Sequence, residues 1–188
     1  MKKTLATAVA AGVVAMVVAM PQALADDRVC RGTIGAATTD NIVVPQGATC
    51  TLSGTKVEGN VKVKNGAKLY AKGVRVDGNI QSEGFSVVQV SQRSSVGGDI
   101  QLDKGLRGGS AFVGGSTIDG NLQLKENYAS ITAQNNTIRG NLQAESNRGG
   151  LVFKNNRISG SFQCKQNNPA PTGGGNTAGD KEGQCSRL

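Results

Sequence analysis

Residues Thr117–Leu124 read TIDGNLQL, and the phrase returns as TIRGNLQA at Thr137–Ala144 and as RISGSFQC at Arg157–Cys164. Working outward, the pattern apolar-x-Gly-x-apolar also occurs at Val57–Val61, Val76–Ile80 and Val96–Ile100. The anchor glycines Gly59, Gly78, Gly98, Gly120, Gly140 and Gly160 are 19, 20, 22, 20 and 20 residues apart. A fixed period in this range marks an array of stacked repeats, none of which buries its apolar face alone.

Within each unit the apolar residues alternate. Ile118, Gly120, Leu122 and Leu124 are expected on one side and Asp119, Asn121 and Gln123 on the other, which is strand periodicity. A second apolar site lies at Leu69, Ala111, Ile131 and Leu151, followed two residues later by Ala71, Val113, Ala133 and Phe153; Val88 and Val90 take this place in the third unit. Twenty residues accommodate three short strands and three turns, the size of one coil of a parallel β-helix. The handedness rule for parallel crossovers makes the predicted all-β solenoid right-handed, and the repeats account for about seven coils.

Asn127, Asn147 and Asn167 form one ladder at this period, and Asn136, Asn156 and Asn176 a second. Two roles are expected for these asparagines and for the glycines: turns at positive φ, and amides stacked from coil to coil. With no tryptophan and few other aromatics, the core is expected to be aliphatic and thin.

Residues 1–25 read as a signal peptide. Lys2 and Lys3 precede an apolar run to Met20, and Ala23-Leu24-Ala25 supplies a small-x-small cleavage site, so the mature chain is expected to begin at Asp26. No later apolar run has the length of a membrane span, and an exported protein, secreted or on the cell surface, is expected. Residues 26–48 are assigned to an N-terminal cap and first partial coil, 49–167 to the coils, and 168–188, including the turn-rich NPAPTGGGN, to a C-terminal cap.

In an exported chain Cys30, Cys50, Cys164 and Cys185 point to disulfides, with three pairings open. The repeat favours Cys30 with Cys50 and Cys164 with Cys185, each pair being about one coil apart. A four-cysteine zinc site is disfavoured because no Cys-x-x-Cys knuckle occurs.

The sequence contains no histidine, which removes histidine-based triads and the usual catalytic zinc sites. No cofactor or metal is expected. Glu58 and Asp77 share an outward slot in adjacent coils, a placement that a retaining glycosidase could use; Asp99 with Asp119 is a weaker, offset pair. Lys56 and Arg75 beside the first pair give the plainer reading of neutralised surface charge. Lys56, Lys62, Lys64, Lys68, Lys72 and Arg75 concentrate positive charge in the early coils, and the formal charge of the whole chain is +8. They suggest a face for an anionic polymer of the cell envelope, although solvated lysines that protect strand edges account for them as well. Nucleic acid is disfavoured, since the chain is read as exported and lacks interleaved aromatics.

The apolar-x-Gly-Asn-apolar coils over residues 49–165 resemble those of bactofilins, bacterial proteins of right-handed β-helix fold that polymerise end to end without nucleotide. They are also similar to small exported actinobacterial β-helix proteins of unknown function in which cysteines flank the coils. The resemblance implies the fold and, through bactofilins, a homo-oligomer. Bactofilins are cytoplasmic and lack a cleaved signal, whereas this chain carries one and has a cysteine pair at each end. The leading expectation is therefore a non-enzymatic structural or surface-interaction module that contacts an anionic envelope polymer, a surface protein or a copy of itself; the alternative is a polysaccharide-active enzyme on a pectate-lyase-like scaffold using Glu58 and Asp77.

Overall fold

The computed structural model describes residues 27–188; the signal-peptide reading of 1–25 lies outside the described residues. Every regular element is a short strand, and the strands follow one another in threes. The first coil holds β1 (Asp27–Val29), β2 (Thr33–Ile34) and β3 (Thr38–Thr39); the second holds β4 (Asn41–Val44), β5 (Thr49–Ser53) and β6 (Lys56–Val57). The third holds β7 (Val61–Val63), β8 (Lys68–Lys72) and β9 (Arg75–Val76), and the fourth β10 (Ile80–Glu83), β11 (Val87–Ser91) and β12 (Ser95–Val96). Next come β13 (Ile100–Asp103), β14 (Ser110–Gly114) and β15 (Thr117–Ile118), then β16 (Leu122–Lys125), β17 (Ser130–Gln134) and β18 (Thr137–Ile138). The seventh coil holds β19 (Leu142–Glu145), β20 (Leu151–Lys154) and β21 (Arg157–Ile158); the eighth holds β22 (Ser161–Lys165) and β23 (Thr172–Gly174), and β24 (Asp180–Gly183) starts a further turn.

Strands of the same rank pair in parallel from coil to coil, making three sheets of nine, eight and seven strands. The chain is a right-handed parallel β-helix, as the repeat predicts, with about eight turns where the repeat alone accounts for about seven. The additional turn comes from the ends. Residues read as an N-terminal cap already pair as β1 with β4, β2 with β5 and β3 with β6, while NPAPTGGGN leads into β23, where Thr172 pairs with Val152.

The inward register is as the alternation predicts. Ile118, Leu122 and Leu124 are buried, stacked on Val96, Ile100 and Leu102 below and on Ile138, Leu142 and Ala144 above. The core is mainly aliphatic, but its largest members are Phe85, Phe153 and Phe162, and the rings of Phe153 and Phe162 meet edge to face at 5.4 Å. Both expected disulfides form, Cys30–Cys50 near the first coil and Cys164–Cys185 near the last, with Cα atoms 5.5 and 5.2 Å apart. Bridges of this kind belong to an oxidising compartment.

The corners depart from expectation. At two of them one residue turns the chain at positive φ, but it precedes the ladder asparagine: Glu126, Ser146 and Gln166 stand before Asn127, Asn147 and Asn167, and Asn135 and Asn155 before Asn136 and Asn156. The ladder side chains therefore point inward and are buried. Asn127 Nδ2 donates to Asn147 Oδ1 at 2.8 Å, and Asn147 Nδ2 to Asn167 Oδ1 at 2.8 Å; Asn136 and Asn156 repeat this up to Asn176. Buried amides in such a column are satisfied by their neighbours, so their desolvation is compensated.

At the third corner the anchor glycines are needed for close approach, not for conformational freedom. Gly78, Gly98, Gly120 and Gly140 each donate N–H to the preceding glycine carbonyl at 2.9–3.1 Å. A Cβ at Gly140 would lie 2.6 Å from both Gly120 O and Asn121 Oδ1. Gly120 is accordingly a half-buried corner residue, not a core position. Beside the glycines runs a third ladder that the composition did not single out: Asn60, Asn79 and Asn121 carry side-chain oxygens that accept the N–H of Asn79, Asp99 and Asn141.

Candidate functional site

The strand alternation that buries Ile80, Ile100, Leu122, Leu142 and Phe162 turns the next residue of each strand outward. On the nine-stranded sheet this places Gln81, Gln101, Gln123, Gln143 and Gln163 in one row, in register along five coils. Lys62 continues the row below Gln81, and Glu182 above Gln163. The amides bond to one another: Gln81 Nε2 donates to Gln101 Oε1 at 2.9 Å, Gln143 Nε2 to Gln163 Oε1 at 3.2 Å, and Gln163 Nε2 to Glu182 Oε1 at 3.1 Å.

Two positions along each strand, a parallel row carries Glu83, Asp103, Lys125, Glu145 and Lys165. Between the rows lie two open grooves of about 580 and 290 Å³ that share Asp103. Their walls contribute five lysines, Lys62, Lys64, Lys104, Lys125 and Lys165, against the three carboxylates Glu83, Asp103 and Glu145.

Glu83 and Asp103 are stacked neighbours with opposite electrostatic surroundings. Lys104 Nζ lies 2.6 Å from Glu83 Oε1, and this hydrogen bond holds the exposed Glu83 carboxyl below the usual carboxylate range and raises the Lys104 ammonium. Asp103 Oδ1 is buried without a hydrogen-bond partner. Burial pushes the Asp103 carboxyl upward, the Lys125 charge opposes this, and Glu83 adds to it. Glu83 is thus a neutralised surface carboxylate, and Asp103 the carboxyl of the groove that is harder to ionise.

The residues singled out in the sequence are distributed differently. Glu58 and Asp77 do occupy matching slots in adjacent coils, but on the corner beside the seven-stranded sheet and outside both grooves. Each is held by the basic residue two positions before it: Lys56 to Glu58 at 2.6 Å and Arg75 to Asp77 at 2.8 Å, the latter bond raising the Arg75 guanidinium further. Asp99 and Asp119 are not brought together. Asp99 accepts Asn121 N–H at 2.6 Å inside the corner ladder, and Asp119 pairs with Arg139 at 2.7 Å.

The six early basic residues do not share a face. Lys62 and Lys64 border the groove, Lys68 and Lys72 belong to β8 on the eight-stranded sheet, and Lys56 and Arg75 belong to β6 and β9 on the seven-stranded sheet. They form a belt around the second and third coils, because consecutive strands of a coil turn to different sides. The groove gains Lys104, Lys125 and Lys165 in their place. Its glutamines had a legible signal, since each stands three residues after an anchor glycine.

Among the described residues no group of three His, Cys, Asp or Glu side chains is placed to hold a metal ion, and all four cysteines are in disulfides. The surface offers repeated amide donors and acceptors bordered by fixed charges, open along the rod axis. Such a surface suits an extended polymer more than a small enclosed ligand. Comparison with family models, curated proteins and solved structures finds no match to this chain.

Proposed function

We propose that the protein is an exported, non-enzymatic rod that docks an anionic polymer of the cell envelope along its glutamine row. The observation that carries this reading is the register of Gln81, Gln101, Gln123, Gln143 and Gln163, which repeats one amide at the inter-strand spacing of about 4.8 Å. A ligand with repeating polar groups meets the same contact at every coil, so weak contacts accumulate by linkage along one chain. The excess of lysines over carboxylates in the groove walls sets the sign of the ligand.

The experiment is titration of the oxidised protein with acidic and neutral polysaccharides, at low and high salt. The reading expects acidic polymers to bind with an affinity that falls as salt rises. Gln101→Glu with Gln123→Glu, which sets two like charges in register in the row, should abolish binding and lower the melting temperature only modestly, a single cooperative transition showing that the variant folds. Equal binding of the double variant would reject the groove as the docking surface.

A second reading, polysaccharide cleavage, is favoured at Glu83 and Asp103 by their stacking in the groove and by the buried Asp103 Oδ1 that has no hydrogen-bond partner. The pair Glu58 and Asp77 has the stacking but not the groove. Release of new chain ends from a bound polymer, lost in Asp103→Asn, would establish cleavage; unchanged polymer length rejects it for that substrate. The disulfides near both ends support single rods over end-to-end assembly.

A further inference from the structure

The anchor glycines Gly98 and Gly120 are 22 residues apart where the following coils keep 20. The extra length lies between β13 and β14, where residues 104–109 leave the sheet and return. The turn is tied down by its backbone: Leu106 N–H donates to Phe85 O at 2.9 Å, Gly109 N–H to Leu106 O at 2.9 Å, and Tyr128 N–H of the next coil to Gly105 O at 2.9 Å. From the same next coil, the buried Asn127 Oδ1 accepts Gly105 N–H at 2.7 Å. A rigid ledge results, projecting from one corner of an otherwise uniform rod.

The ledge and the coil above it expose two large side chains side by side. Leu106 is 39% and Tyr128 51% exposed; among the described residues the other exposed large apolar residue, Val29, lies apart in the first strand. The Arg107 guanidinium lies over the Tyr128 ring, 5.4 Å from its centroid. Arg148 joins them around a cavity of about 670 Å³, with Lys104 and Glu126 at its edge. Among the described residues Arg107 and Arg148 make no ion pair, while Glu126 lies 3.9 Å from Lys125 and Lys104 is held by Glu83. Lys104 lines both this cavity and the larger groove, so the two adjoin at its side chain.

The half-exposed Tyr128 ring, covered on one face by Arg107, and two guanidinium groups outside any ion pair meet two demands of one ligand. The uncovered part of the ring offers apolar surface for the C–H face of a pyranose, and the Arg148 fork matches a carboxylate through two parallel N–H···O bonds. A polyol phosphate chain supplies the charge but no ring to stack. We propose that Tyr128, Arg107 and Arg148 form a subsite for one carboxylated sugar unit of an acidic polysaccharide, whose chain continues into the groove past Lys104. The subsite rests on the docking reading above and names its ligand class.

The test is calorimetric titration of the oxidised full-length mature chain with a defined oligogalacturonate, and with dextran and polyphosphate for comparison. Wild type, Tyr128→Ala, Arg148→Gln and Gln101→Glu with Gln123→Glu are measured together. The subsite expects oligogalacturonate to bind, dextran not to bind, and both ledge variants to lose about tenfold or more in affinity with an unchanged melting temperature. Oligogalacturonate binding that survives both ledge variants but not the groove variant overturns the subsite and leaves the docking reading standing. Polyphosphate bound as tightly as oligogalacturonate, and indifferent to Tyr128→Ala, overturns the sugar specificity. No binding of any acidic polymer by wild type overturns both.

Discussion

Asn147 Nδ2 donates to Asn167 Oδ1 at 2.8 Å and to Leu124 O at 3.0 Å, while Asn147 Oδ1 accepts both the N–H and the Nδ2–H of Asn127 at 3.0 and 2.8 Å. One fully buried side chain thus joins three coils. Asn147→Ala would strand several buried partners at once, each costing about 1–3 kcal/mol. A loss of about 3 kcal/mol or more is expected, or roughly 6–12 °C in melting temperature for a domain of this size. Calorimetric melting of the oxidised variant checks it; a loss below about 1 kcal/mol would mean water replaces the amide.

Gly140 and Gly150 should respond oppositely to the same methyl group. A Cβ at Gly140 meets Gly120 C at 2.8 Å and Gly120 O at 2.6 Å, both backbone atoms of the coil below, whereas at Gly150 nothing lies within 4 Å. Gly140→Ala must push two coils apart and is expected to cost about 1–3 kcal/mol, the range for overpacking. Gly150→Ala is expected to change stability by no more than about 0.5 kcal/mol. Urea unfolding of both variants is the measurement.

Asp103 gives the fold a pH dependence of definite sign. Because burial raises its carboxyl in the folded state, the folded chain holds the proton over a range where the unfolded chain has lost it. The slope of stability against pH is therefore negative there: its contribution is complete below the unfolded carboxylate value and is lost as pH rises through the folded one. At neutral pH, Asp103→Asn should stabilise by on the order of 1 kcal/mol, a low figure because the residue is only half-buried. The gain should disappear in acid. Melting curves of wild type and variant from neutral pH down to the carboxylate range compare the two directly; a constant gap would show that charge is not its cause.

Glu58→Gln combined with Asp77→Asn removes two exposed ion pairs outside the grooves. Exposed pairs contribute about 0–1 kcal/mol each, so stability should change little and polymer binding not at all. Loss of binding or of any turnover in this variant would move the site to the seven-stranded sheet.

The disulfides should govern the ends. Cys30–Cys50 closes a loop of 20 residues, for which about 3 kcal/mol is the expected constraint on the unfolded chain. Size-exclusion chromatography with light scattering should show a single rod when oxidised and loosened ends, open to edge pairing, after reduction. Filaments of the oxidised protein would instead make end-to-end assembly its native state.

Much of this was legible in one dimension. A solenoid repeats its contacts at a constant separation in sequence, so inward Ile118, Leu122 and Leu124, the two asparagine columns and the cysteine pairing can all be read from the period. The corners were less legible. Positive φ falls on Glu126 and Ser146, one residue before each asparagine, because the buried amide then satisfies the strands above and below while the turn is left to its neighbour. The anchor glycines, too, are conserved along the array for contact with the coil below, which composition alone assigns to turns.

By itself the sequence determined the period, the strand alternation and therefore the coil, since each is a property of spacing along the chain. It could not say which outward residues share a side. Lys56, Lys62 and Lys68 lie within 13 positions yet stand on three different sheets, whereas Gln81 and Gln163 are 82 residues apart and share one row. Only the tertiary structure decided this, because the three corners bend the chain away from its nearest neighbours and inter-strand hydrogen bonds bring equivalent positions of successive coils together.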